Sequence, residues 1–158
     1  MKAVYVKEPG SLEVVEVEKP QIKKDTQVLV KITAAGICGS DIHILHGTHA
    51  YATYPRIIGH EGCGVVEAVG PGVTDFQVGD RVGFSYGFCG KCENCLSAHQ
   101  HACENFNAIN FGGVMSDGTR RLSQNGQELS SFFGQSSFAT YSVVNQSSMI
   151  KVEDPDID

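Results

Sequence analysis

A cysteine, two histidines and two acidic residues fall in two short stretches, Cys38-Gly39-Ser40-Asp41-Ile42-His43 and Gly59-His60-Glu61-Gly62. Cys, His and Glu are the residue types that hold zinc at a catalytic site, where three protein ligands leave one position for water or substrate. Glycines around His60 and Glu61 let the backbone turn tightly, so neighbouring side chains converge on one point. Taken singly, each residue has a plainer reading. A lone histidine is usually a hydrogen-bonded core residue, and a lone cysteine a small buried hydrophobe. It is their combination that points to a metal.

A second group reads Cys89-Gly90-Lys91-Cys92-Glu93-Asn94-Cys95 and then Cys103, the spacing C-x2-C-x2-C-x7-C. Two-residue gaps let thiolates turn back onto one ion, and a lobe too small for its own core gains folding energy from the metal. Disulfides fit poorly, since cysteines three apart pair badly. An iron–sulfur cluster shares the first three positions, but its last gap is three residues followed by proline, whereas Cys103 is followed by Glu104. The spacing therefore predicts a four-coordinate structural zinc. Such a site has no open position and serves stability.

The elements that must position these groups are mostly short strands. Val4–Val6, Leu12–Glu18, Gln27–Ala34, Gly64–Val69, Gly79–Phe84, Phe138–Val144 and Met149–Val152 are β-rich runs separated by Gly and Pro turns. In the second run Leu12, Val14 and Val17 are expected to face inward opposite Glu13, Glu16 and Glu18, with a kink at Val15. Ser40 or Gly39 is expected to cap a short helix from Asp41 to His46. Gly47 to Tyr54 reads as a loop kept extended by Tyr54-Pro55. The pattern predicts a mainly β sandwich or partly open barrel of one domain over residues 1–158. The formal net charge of -6 argues against nucleic acid and anionic membranes as partners. No run of eighteen apolar residues occurs, and the opening reads as a strand rather than a signal peptide, so a reducing cytoplasm is the expected compartment.

With both clusters in place, the chain resembles the catalytic domain of the zinc-dependent medium-chain alcohol dehydrogenases. The residues that carry this are Gly36-Ile37-Cys38-Gly39-Ser40-Asp41-Ile42-His43, Gly59-His60-Glu61-Gly62, Val69-Gly70-Pro71-Gly72-Val73 and the four-cysteine lobe at about 86–104. The stretch from Glu104 through Ala139 is most similar to the aryl- and benzyl-alcohol dehydrogenase branch. The resemblance implies a GroES-like β-barrel with a small zinc-binding lobe and short helices. It also implies hydride transfer between a small-molecule primary alcohol, aromatic in this branch, or its aldehyde and NAD(P). Carried over by position, Cys38, His60 and Glu61 match catalytic-zinc residues. Asp41 matches a carboxylate that fixes the His60 tautomer, Ser40 the hydroxyl that takes the alcohol proton, and His43 the end of a proton relay. Gly39 and His43 stand towards the cofactor. Tyr51, Phe84 and Tyr86 are the expected substrate-pocket aromatics, and Cys63 is expected to be packing.

Two features of the family are missing from the sequence. Its third catalytic ligand is a cysteine at the start of a nucleotide-binding domain, and no G-x-G-x-x-G turn able to seat a pyrophosphate occurs. Lys151–Asp158 resembles the acidic start of the helix that crosses to that domain. The expectation is thus a catalytic-domain portion, inactive alone, whose partner is its own nucleotide-binding domain within a homo-oligomer. The exposed apolar face of such a portion is expected to self-associate. A non-catalytic zinc-binding structural or interaction module is the alternative; the retained Ser40, Asp41 and His43 argue against it. Quinone-reductase-like relatives usually lack these ligands, whereas sorbitol-type ones differ in substrate.

Overall fold

The apolar run Val28-Leu29-Val30 is buried throughout, which requires a strand flanked on both sides. It lies in β3 (Gln27–Gly36), paired antiparallel with β5 (Glu61–Val69) on one side and β9 (Tyr141–Asn145) on the other. With β6 (Arg81–Phe84) and β10 (Met149–Lys151) the five-stranded order is β10-β6-β5-β3-β9. Val28, Val30, Val66, Val82, Val144 and Met149 form its core. The computed structural model describes residues 1–115 and 117–154. Residues 155–158, the end of the expected acidic helix start, lie outside them.

A smaller sheet runs β2-β1-β4, from β1 (Lys2–Val6), β2 (Glu13–Glu16) and β4 (Arg56–Ile57). A two-stranded hairpin, β7 (Leu122–Gln124) and β8 (Gln127–Leu129), packs Leu122 and Leu129 onto Ala3, Tyr5, Val17 and Ile57. Isolated bridges Ala3↔Ala139 and Arg56↔Ser130 tie this layer to the remainder. The outcome is the mainly β, partly open arrangement that the turn spacing predicts. Among the described residues three short α-helices complete it: α1 (Gly39–Leu45), α2 (Glu93–Leu96) and α3 (Phe106–Phe111). A third cluster, Val6, Ile44, Ile58, Phe111 and Phe132, seats α1 and α3 against the strands.

The structure corrects the local reading in three places. Around β2 Leu12 and Val14 are exposed at 50% and 67%, Val15 packs inward in their place, and Val17 is buried as expected. The register Ala3↔Val15 decides this, because Ala3 faces the core and its partner must share that face. The cap of α1 is Cys38, one position before Gly39. Finally, the Tyr54–Pro55 link is a cis peptide. The β7–β8 hairpin and α3 have no counterpart in the sequence reading. Asn125-Gly126, with φ of 50° and 79°, is the two-residue turn that announces that hairpin.

Candidate functional site

His60 reaches its place through Gly59, which has φ +92°, and where a Cβ would collide with Phe138. Only glycine meets both conditions. One residue on, the His60 ring turns towards α1. Its Nε2 stands 3.3 Å from Cys38 Sγ, and its Nδ1 stands 3.4 Å from Asp41 Oδ1. Asp41 is buried, and its carboxylate also accepts from the Gly59 amide at 3.1 Å and the Cys38 amide at 3.1 Å. The Cys38 sulfur in turn accepts the Ser40 amide at 3.3 Å, so it caps α1 as a serine would.

The ligand atoms of Cys38, Asp41 and His60 all lie within 4.8 Å of one another. A sulfur and a nitrogen on one tetrahedral zinc stand about 3.5 Å apart, from Zn–S and Zn–N distances near 2.3 and 2.05 Å. Cys38 and His60 therefore fit such an ion with Asp41 behind the ring, where a carboxylate sets the tautomer of a ligating histidine. Glu61 is not in this group: its carboxylate lies against Gly36, its cross-strand partner, in the space a Cβ there would take.

Ser40 lies in the first turn of α1, half-buried, and His43 in its last turn, exposed, with Nδ1 2.9 Å from Thr48 Oγ1. A Cβ at Gly39 would meet open space. Among the described residues, none of the three expected pocket aromatics is in ring contact with His60. Tyr51 is 56% exposed, Phe84 packs against Gly62 and the β5–β6 core, and Tyr86 touches Phe106 at 5.6 Å between ring centroids. Other rings take that position. Phe133 stacks on His60 at 4.7 Å and 30°, and Phe132 meets it edge-on at 5.0 Å. Phe111 and Phe106 stand edge-on to Phe133 at 5.1 and 6.2 Å. The doublet Phe132-Phe133 was the available sequence signal, and Phe133 holds a left-handed φ of 53° beside Gly134.

Behind this wall lies Arg56, which the sequence reading passed over. It is fully buried, donates to the Phe111 carbonyl at 2.7 Å and Thr53 Oγ1 at 3.3 Å, and sits 5.4 Å from the Phe132 ring centroid. Nε and Nη1 have no hydrogen-bond partner among the described residues. Burial lowers its pKa to about 10.

The four lobe cysteines also converge, all Sγ atoms within 4.8 Å. Cys89 and Cys95 are 3.9 Å apart, close to the roughly 3.8 Å edge of a ZnS4 tetrahedron with 2.3 Å bonds. Backbone amides aim at the sulfurs: Cys92 N–H at Cys89 and Cys89 N–H at Cys103, each at 3.4 Å. The Lys91 and Cys92 amides draw the Cys89 thiol down to about 6, while burial pushes Cys95 up to about 12. Four thiol donors at this separation, with amides serving them, fit zinc. Cys63 stays outside both groups, half-buried in β5 with Ala34 O 3.5 Å from its sulfur.

A mainly β domain with a four-cysteine lobe and a Cys–His pair backed by aspartate has the ligand sets of a zinc-binding domain. Residues 24–154 match the alcohol dehydrogenase GroES-like domain, and the chain belongs to that family of oxidoreductases. It is 41% identical over 149 residues to an alcohol dehydrogenase class-3 of Drosophila melanogaster, covering 94% of this chain and 38% of that protein. An S-(hydroxymethyl)glutathione dehydrogenase of Aspergillus oryzae is 42% identical over 146 residues, covering 92% of this chain and 37% of that one. Among solved structures, benzyl alcohol dehydrogenase from Acinetobacter calcoaceticus superposes with a TM-score of 0.89 at 36% identity, covering 99% of this chain and 42% of its own. The chain thus spans about two-fifths of the length of these relatives. Among the described residues, no helix is long and apolar enough to cross a membrane.

Proposed function

We propose that the full-length protein oxidises a primary alcohol on a bulky, preferably aromatic, group to its aldehyde with NAD(P). The observation that carries this is the convergence of Cys38 and His60 beneath the ring of Phe133. Lewis acidity towards an alcohol oxygen is what a zinc ion supplies when Cys38 and His60 hold it, and hydride acceptance is the nicotinamide's part. Asp41 accepts Nδ1–H of His60, which keeps the Nε2 lone pair directed at the metal position. Glu61 is proposed as a carboxylate that reaches this position only by leaving Gly36. Ser40 takes the alcohol proton, and His43 passes it to water, a task that suits an imidazole. Phe133 and Phe106, each half-buried, flank the substrate and exclude water. Two relatives are named for S-(hydroxymethyl)glutathione and benzyl alcohol. Both carry a –CH2OH on a large group, and the aromatic wall favours the second.

The same reading assigns a nucleotide-binding domain to the full-length protein and leaves residues 1–158 alone without turnover. Exposed Ile37 and Ile42 border an apolar groove of about 570 Å³ beside Asp41, a face suited to that domain. Steady-state assays of the full-length protein test this. Benzyl alcohol is expected to outperform ethanol and S-(hydroxymethyl)glutathione. Phe133→Ala should raise KM for benzyl alcohol about 2- to 10-fold, the range of an aromatic pair's added worth. Absence of benzyl alcohol oxidation, or full activity in Cys38→Ser, would refute it and favour the non-catalytic module.

A further inference from the structure

The helix that carries Ser40, Asp41 and His43 ends in a way that acts on His43 itself. Gly47 N–H donates to Ile44 O at 3.1 Å and Thr48 N–H to His43 O at 3.0 Å. These are the paired bonds that close a helix through a left-handed residue. Gly47 supplies that residue, with φ +70°, and a Cβ there would strike Pro9. The closure folds Thr48 back over the residue five positions earlier. Thr48 Oγ1 therefore meets His43 twice, 2.9 Å from ring Nδ1 and 3.3 Å from the carbonyl oxygen.

A threonine hydroxyl has one proton, and a carbonyl oxygen only accepts. With the Oγ1 proton given to the His43 carbonyl, the ring must supply its own proton to Oγ1 from Nδ1. The neutral imidazole is then bare at Nε2, on an exposed ring whose Nε2 has no hydrogen-bond partner among the described residues. We propose that Thr48 is a positioning residue for His43, fixing the neutral ring as the Nδ1–H tautomer so that Nε2 is the atom that receives a proton. The consequence for catalysis rests on the relay role given to His43 above; the tautomer does not.

Ring 15N correlation spectra of the zinc-loaded protein at pH 8.5 test this, with the His43 signals assigned from their loss in His43→Gln. That pH is well above the usual histidine range of about 6.5. Wild type and Thr48→Ser are expected to be protonated at Nδ1. Thr48→Val, which keeps the shape but not the hydroxyl, is expected to shift to the Nε2–H form. A wild-type ring protonated at Nε2, or a Thr48→Val spectrum unchanged from wild type, overturns the proposal. Should Thr48→Val fail to fold, the wild-type and Thr48→Ser spectra still decide. Unchanged turnover in full-length His43→Gln would instead remove the relay while leaving the tautomer assignment standing.

Discussion

Asp41 stands 3.4 Å from Nδ1 of His60, with Cys38 Sγ 3.3 Å from the ring's other nitrogen. That single carboxylate also holds the Cys38 and Gly59 amides, so it fixes both sequence segments of the site at once.

Asp41→Asn keeps one oxygen for these donors but replaces the other with an amide donor. Zinc affinity at the Cys38–His60 site is expected to fall about 10- to 100-fold, the usual cost of disturbing the partner of a ligating histidine. A competition titration with a chromophoric chelator measures it; unchanged affinity would show that Asp41 serves the backbone alone.

Cys38→Ser separates two roles of one sulfur, since serine still caps α1. The isolated chain is expected to hold one zinc tightly in the four-cysteine lobe and a second weakly at Cys38 and His60, which offer one thiol and one imidazole against the lobe's four thiols. The variant should lose only the weak ion, with its far-ultraviolet circular dichroism unchanged. Metal analysis finding two equally tight ions in wild type would contradict this.

Asn110 is fully buried, and its side chain makes three hydrogen bonds. It donates to Gly87 O and Phe106 O and accepts from Gly87 N at 2.8 Å, tying the cysteine lobe to α3. Asn110→Ala leaves both Gly87 groups without partners, at about 1–3 kcal/mol for each buried group. A loss of about 2–4 kcal/mol in urea unfolding is expected, with zinc still bound. A loss below about 0.5 kcal/mol would mean that water replaces the amide fully.

The Gln77 amide and the Lys151 ammonium, both 2.9 Å from Asp80 Oδ2, hold this buried carboxyl below its ordinary value. A carboxyl with a lowered folded pKa contributes stability above its unfolded value of about 3.9, and that contribution fades as pH falls through the folded value. Asp80→Asn is therefore expected to cost about 1–2 kcal/mol at pH 7, a cost that shrinks as pH falls below the unfolded value and through the folded one. A pH-independent difference would assign the effect to shape instead of charge.

The parts of this molecule legible in the sequence are those fixed by local spacing. The thiol gaps at Cys89, Cys92 and Cys95 bring their sulfurs together within one loop, and β3 declares itself by an unbroken apolar run. Pairing across strands was less legible. Whether Val14 or Val15 faces the core depends on Ala3, twelve residues away from Val15, and alternation in so short a strand does not contain that choice. The rings on His60 come from Phe132 and a left-handed turn at Phe133, backed by Phe106 and Phe111 of α3, and nothing in the period of the sequence brings those segments to a glycine turn at residue 59.

Arg56 gives the aromatic wall a property that its rings alone would not have. Ring faces ordinarily welcome ammonium groups, yet a guanidinium lies behind Phe132 with no carboxylate paired to it among the described residues. Its potential reaches the neighbouring loop, where burial first and Arg56 second hold the His49 imidazole below its usual range. A guanidinium set behind the rings thus bears on the ionisation of a histidine stacked on Phe111, and the wall is charged from within.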